Sequence, residues 1–167
     1  MTVDGDGVER AAGGTGGEGP SGERVSRSRA VRHGVQQARV ALEEALARPA
    51  IPYPQQWGQR VVTALRELDE AFDRHVRHSE GPEGMLADIV QVAPRLAHSV
   101  GEIQREHKEI LDAIGGLEVA AARLDDSADV PALREEALVL LRSIAAHRYR
   151  GADVISDAYN VDIEAAD

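Results

Sequence analysis

Residues 131–153 read "PALREEALVLLRSIAAHRYRGAD", and this stretch decides the fold. A proline opens it, Glu135 and Glu136 follow where a helix N-terminus favours negative charge, and nothing that breaks a helix intervenes before Gly151. At about 100° per residue, Leu133, Leu140 and Ile144 share one face, which Ile155 extends beyond the quoted stretch. His147 and Gly151 stand in the same row. The segment therefore offers an apolar stripe to a core and sets an imidazole inside it.

The rest of the chain follows the same pattern. Strand-like alternation is absent, and Ala, Leu, Glu and Arg dominate. A first helix is expected from about Ser28 to Ala47, stopped by the prolines of "RPAIPYP". A second starts near Pro54 and ends at "HSEGPEG", and a short helical piece, "MLADIV", leads to Pro94. A third long helix runs on to about Leu124, weakened or bent at Gly115 and Gly116. "DDSADVP" caps the fourth, from about Pro131 to Ala158. Four helices joined mostly by short connections predict an all-α, antiparallel four-helix bundle over residues 28–158. Residues 1–27 hold eight of the sixteen glycines and almost nothing large and apolar, which predicts a disordered Gly-rich N-terminal segment. Residues 159–167 are expected to form an acidic C-terminal tail.

Composition narrows the function. Zero cysteines exclude disulfides, iron–sulfur clusters and thiolate zinc sites. The formal charge of −10 argues against a nucleic-acid surface, and the arginines near 24 to 32 read as a solvated helix start. No apolar run is long enough to span a membrane and no secretory h-region opens the chain, so a cytoplasmic protein is expected. Ser79, Ser99 and Ser143 lack any context that would make one of them a nucleophile.

Helical phase points the histidines inward. On the second helix His75 falls in the stripe of Val61, Leu65, Leu68 and Phe72, with His78 at its edge. On the third, His107 lies among Leu96, Ile103, Ile110 and Ile114. With His147 on the fourth, three helices each aim one of the chain's six histidines at the bundle centre. A lone buried histidine needs only a polar neighbour, but three together are satisfied at once by a shared metal ion. Spacing adds to this. His33 to His75 spans 42 positions and His107 to His147 spans 40, as two similar helical hairpins would require. Tyr149, Tyr159 and Arg150 stand near His147 as candidates to line an access path, although Tyr149 lies off the stripe.

The order of these histidines resembles the hemerythrin-like, or HHE cation-binding, domain over roughly residues 28–158. That resemblance implies a four-helix bundle holding a non-haem di-iron centre, with a role in oxygen, nitric oxide or iron handling. It implies ligands at His33, at His75 with a carboxylate four residues on, at His107 within the Glu-His pair of "EHKE", and at His147 with a carboxylate four or five residues on. The carboxylate positions depart from the pattern. Ser79 follows His75 with Glu80 one place further, and Gly151 and Ala152 follow His147 with Asp153 beyond. One extra residue turns a side chain about 100° around a helix, which points Asp153 away from the core and leaves Glu80 better placed, at a helix end. His33 lies opposite the Val31, Val35, Ala38, Leu42 and Leu46 face, so a surface position fits it better than an inward one.

Three readings of the site remain. His75, His107 and His147 with Glu80 hold one divalent metal and leave a position open for water or a diatomic gas. Alternatively a di-iron centre persists with rearranged carboxylates. In the third, the bundle holds no metal, its histidines bond to one another, to Ser79 or to water, and its role is structural or protein-binding. For that last role the first helix, with Val40 opposite its main stripe, is the only candidate surface.

Overall fold

The computed structural model describes residues 20–82 and 84–160, and every regular element among them is helical. Five α-helices follow in order: α1 (Pro20–Ala47), α2 (Pro54–Glu80), α3 (Met85–Val92), α4 (Ala97–Ala122) and α5 (Val130–Asn160). α3 is the short "MLADIV" piece, and the other four are the long helices read from the sequence. Single 3-10 turns at Pro94–Leu96 and Ser127–Asp129 lead into α4 and α5. Asp126 caps the second of them, its carboxylate accepting from the Ala128 amide at 2.9 Å.

α1 begins at Pro20, eight residues before Ser28. Residues 20–27 are therefore helical, contrary to the expectation of disorder there. Adding a turn to a helix that packing already nucleates costs far less than starting one, and proline suits a first turn. Of the expected tail over 159–167, the first two residues belong to α5, and residues 161–167, like residues 1–19 of the expected disordered segment, fall outside the described residues. α4 runs through Gly115 and Gly116 without a break; both are exposed, so no packing is lost there.

The long helices assemble into a bundle in which α1 packs along α2, α2 along α4 and α4 along α5. Contacts climb α2 as they descend α4. Gly58 lies against Ala121, Arg66 pairs with Glu118 at 2.6 Å, and Glu80 reaches His107. Similarly, Ser28 near the start of α1 meets His78 near the end of α2 at 2.7 Å. Arg134 on α5 ties in the other end of α1. Its Nε donates to the Leu46 carbonyl at 3.1 Å, supplying the positive charge that the last turn of α1 lacks, and its guanidinium lies over the buried Trp57 ring.

The core is divided. A large apolar cluster holds Leu42, Trp57, Leu65, Leu68, Phe72, Ile110, Ile114, Leu140 and Ile144. A smaller one, built around α3, holds Leu86, Ile89, Val100, Ile103, Val154 and Ala158. Along α4 the break falls between Ile103 and Ile110, and along α5 between Ile144 and Val154. His107 and His147 occupy those gaps.

Gly58 is required by close approach, since a Cβ there would lie 2.6 Å from the Ala121 carbonyl oxygen. Gly58→Ala is expected to destabilise by about 1–3 kcal/mol through overpacking, net of the helix propensity it gains. A Cβ at Gly115 meets nothing within 4 Å, so Gly115→Ala is expected to stabilise by about 0.5–1 kcal/mol. Urea unfolding of both variants checks the contrast, and equal effects would contradict the helix contact.

Candidate metal centre

Each histidine of the central layer takes a place that its helix's apolar rhythm reserves. On α2 the buried row Leu65, Leu68, Phe72 continues into His75 and then Ser79. On α4 His107 falls between Ile103 and Ile110, and on α5 His147 follows Ile144. His107 and His147 are 1% and 5% exposed, and His75 is half-buried. One ring nitrogen from each of the three lies within 4.8 Å of the others. The His75 and His147 Nε2 atoms are 3.3 Å apart. Phe72 floors the layer, its ring centroid 5.5 Å from that of His75, 5.9 Å from His107 and 5.7 Å from His147.

Two carboxylates stand behind the rings. His107 Nδ1 donates to Glu80 Oε1 at 2.6 Å, and His147 Nδ1 donates to Glu106 Oε2 at 3.0 Å. A carboxylate can only accept, so each places the ring proton on Nδ1 and leaves the Nε2 lone pair of the neutral ring aimed at the cluster. His147 Nε2 then accepts from His75 Nε2. His107 Nε2 is buried and has no hydrogen-bond partner. A buried polar atom in that condition costs about 1–3 kcal/mol, and a ligand that supplies a partner recovers it.

Electrostatics keep His75 and His147 neutral. Burial pushes the His75 imidazole down to about 3, reinforced by His107, His147, His78 and Arg32. Burial also holds His147 below the usual imidazole range, with His107 adding to the effect and Glu106 opposing it. For Glu106 burial pulls upward, but hydrogen bonds from Arg150 and His147 outweigh it and hold the carboxyl below its ordinary value. Neutral imidazoles are the form that binds metals.

Of the expected ligands, the structure brings His75, His107 and His147 together and places the other two elsewhere. Glu80 lies on the far side of His107, bonded to Nδ1, and orients that ring. The end of α2 carries its carboxylate around behind the ring, because the position one turn from His75 belongs to Ser79, whose hydroxyl donates to the His75 carbonyl at 2.7 Å. His33 is exposed on α1, because Ala38, Leu42 and Leu46 are the buried face of that helix. Asp153 is exposed, and His78 bonds Ser28 outside the cluster. Glu106 is a partner of the cluster that the stripe does not reveal. One residue from His107, it sits about 100° off the inward face, where α4 meets α5. Its only signal in the sequence is the Glu-His pair itself.

No family model, no curated protein and no solved structure matches this chain in comparisons with known proteins. The chemistry of the site accordingly rests on its own geometry. Two ligands on a tetrahedral ion at about 2.0–2.1 Å sit about 3.3–3.4 Å apart. The separation of 3.3 Å between His75 and His147 matches that spacing.

The depressed His75 value has a consequence for the metal-free chain. The unfolded chain binds this proton below about pH 6.5 while the folded chain does not until about pH 3, so stability falls as pH drops through that window. From pH 7.5 to 5.0 the loss is about 2 kcal/mol for His75 alone. Thermal unfolding at the two pH values reads it, and a His75→Leu variant is expected to lose most of that dependence. An unchanged pH dependence in the variant would contradict the burial of His75.

Proposed function

We propose that this chain is a metal-binding helical bundle that holds one divalent first-row ion through His75, His107 and His147. The buried, unpartnered Nε2 of His107 carries this reading. Three ring nitrogens converge, two of their rings are oriented by carboxylates, and a donor set of imidazoles suits Fe(II), Zn, Cu and Ni. The arrangement favours one ion over two. Ser79 and Gly151 offer no bridging carboxylate, and Glu80 and Glu106 are engaged behind their histidines.

The antiparallel four-helix arrangement, the resemblance to hemerythrin-like domains and iron as the resident metal belong to this proposal. So does a role in oxygen, nitric oxide or iron handling. One turn beyond His147, a Cβ added at Gly151 meets nothing within 4 Å. A bound divalent ion would supply Lewis acidity at the cluster and, if redox-active, one-electron chemistry. The chain's own residues hold the three nitrogens in place and exclude bulk water with Phe72 and the two apolar clusters.

A metal-free structural or protein-interaction bundle is the second reading, favoured by the His75–His147 hydrogen bond, which satisfies two rings without an ion. It leaves His107 Nε2 without a partner. Elemental analysis after anaerobic addition of Fe(II) or Zn(II) decides between them. We expect about one ion per chain, lost in His107→Ala and retained in His78→Ala. Less than about a tenth of an ion per chain with either metal would overturn the metal reading.

A further inference from the structure

A lone pair buried at the centre of the bundle has to be reached from outside. Phe72 and the larger apolar cluster lie on one side of the histidine layer and the α3 cluster on the other, with His75 half-buried. A cavity of about 710 Å³ between the end of α1 and the start of α5 is lined by none of the histidines or their carboxylates. A second groove, of about 380 Å³, runs between α4 and α5; no histidine lines it, but Arg150 does, together with Glu106, the carboxylate bonded to His147. Its floor is apolar at Ile110, and Gly116 keeps one wall low, since a Cβ there would meet nothing within 4 Å.

Charge along the groove is graded. Glu109 and Glu136 line it together with Glu106, against the single guanidinium of Arg150. Arg105 approaches Glu109 at 3.6 Å but is well exposed, where such a pair screens little. Arg150 donates to one oxygen of Glu106, while the other accepts from His147. The Glu106 carboxylate, 14% exposed, thus bridges the groove to the histidine layer.

We propose that the α4–α5 groove is the route by which a divalent cation reaches the three-histidine cluster. Glu109 and Glu136 gather the cation, and the Glu106–Arg150 pair gates the inner end. The proposal rests on the metal-binding reading above and adds a path to it. Acidic walls over a low-dielectric floor raise the local cation concentration and accelerate association in a salt-dependent way. Arg150 neutralises Glu106 while the gate is shut, and its release frees the carboxylate to swing from His147.

Stopped-flow uptake of Co(II) by the apo chain tests this, followed by its visible absorption, together with equilibrium titration. Gly116→Leu puts a side chain into the groove from an exposed helix position, in a lining that includes no histidine. It is expected to slow uptake and release alike by about tenfold and to leave the affinity unchanged, because a blocked path alters both directions equally. Glu109→Gln with Glu136→Gln is expected to slow uptake by about three- to tenfold at low salt, with the difference shrinking at high salt. Unchanged uptake rates in both variants, with one Co(II) still bound per chain, would overturn the route and leave the site standing. Loss of equilibrium binding in Gly116→Leu would also overturn it. No Co(II) uptake by the unaltered chain would sink the metal reading and the route with it.

Discussion

The hydrogen bonds from His107 to Glu80 and from His147 to Glu106 are the constraint on which the rest depends. Three imidazoles in an apolar core are costly unless their polar atoms are partnered. The two carboxylates partner the outward nitrogens, fix the ring orientation and leave the inward nitrogens facing one another. Burial then keeps His75 and His147 neutral, because no neighbouring group holds a second proton strongly enough to offset desolvation.

Helix packing follows from that layer. It separates the large cluster around Trp57 and Leu68 from the smaller one around α3, so the bundle is two apolar cores joined through a polar plate. Glu80 can reach His107 only because α2 ends beside α4, and Glu106 can reach His147 only because α4 and α5 lie in contact. Gly58 sets how near α2 and α4 come at the opposite end. The same close packing that buries His107 also leaves the α4–α5 groove, where the small residue Gly116 fails to fill the surface.

Much of this was legible in the sequence. Apolar residues three and four apart named the buried faces of α2, α4 and α5, and the histidines in those rows are the ones that meet. Prolines and acidic caps marked where helices stop and start, since their backbone chemistry is local. The start of α1 was missed by eight residues, because helix propagation from a packed segment overrides weak local composition. The carboxylates were harder. Glu80 was recognised as a candidate ligand following His75, and the structure sets it against His107 Nδ1, since phase alone does not say what a side chain at a helix end will touch. Glu106 lies off the stripe, and only the neighbouring helix gives it a role. For His33, spacing and the resemblance pointed to a ligand while the apolar face of the first helix favoured the surface, where the structure places it.

X-ray absorption spectroscopy of the chain loaded with one equivalent of Zn(II) or Fe(II) tests the central claim most directly. The expected result is a nitrogen-dominated inner coordination sphere, outer scattering from three imidazole rings matching His75, His107 and His147, and no metal–metal scattering. An oxygen-dominated sphere without imidazole scattering would contradict it, and a metal–metal vector would contradict the single-ion site.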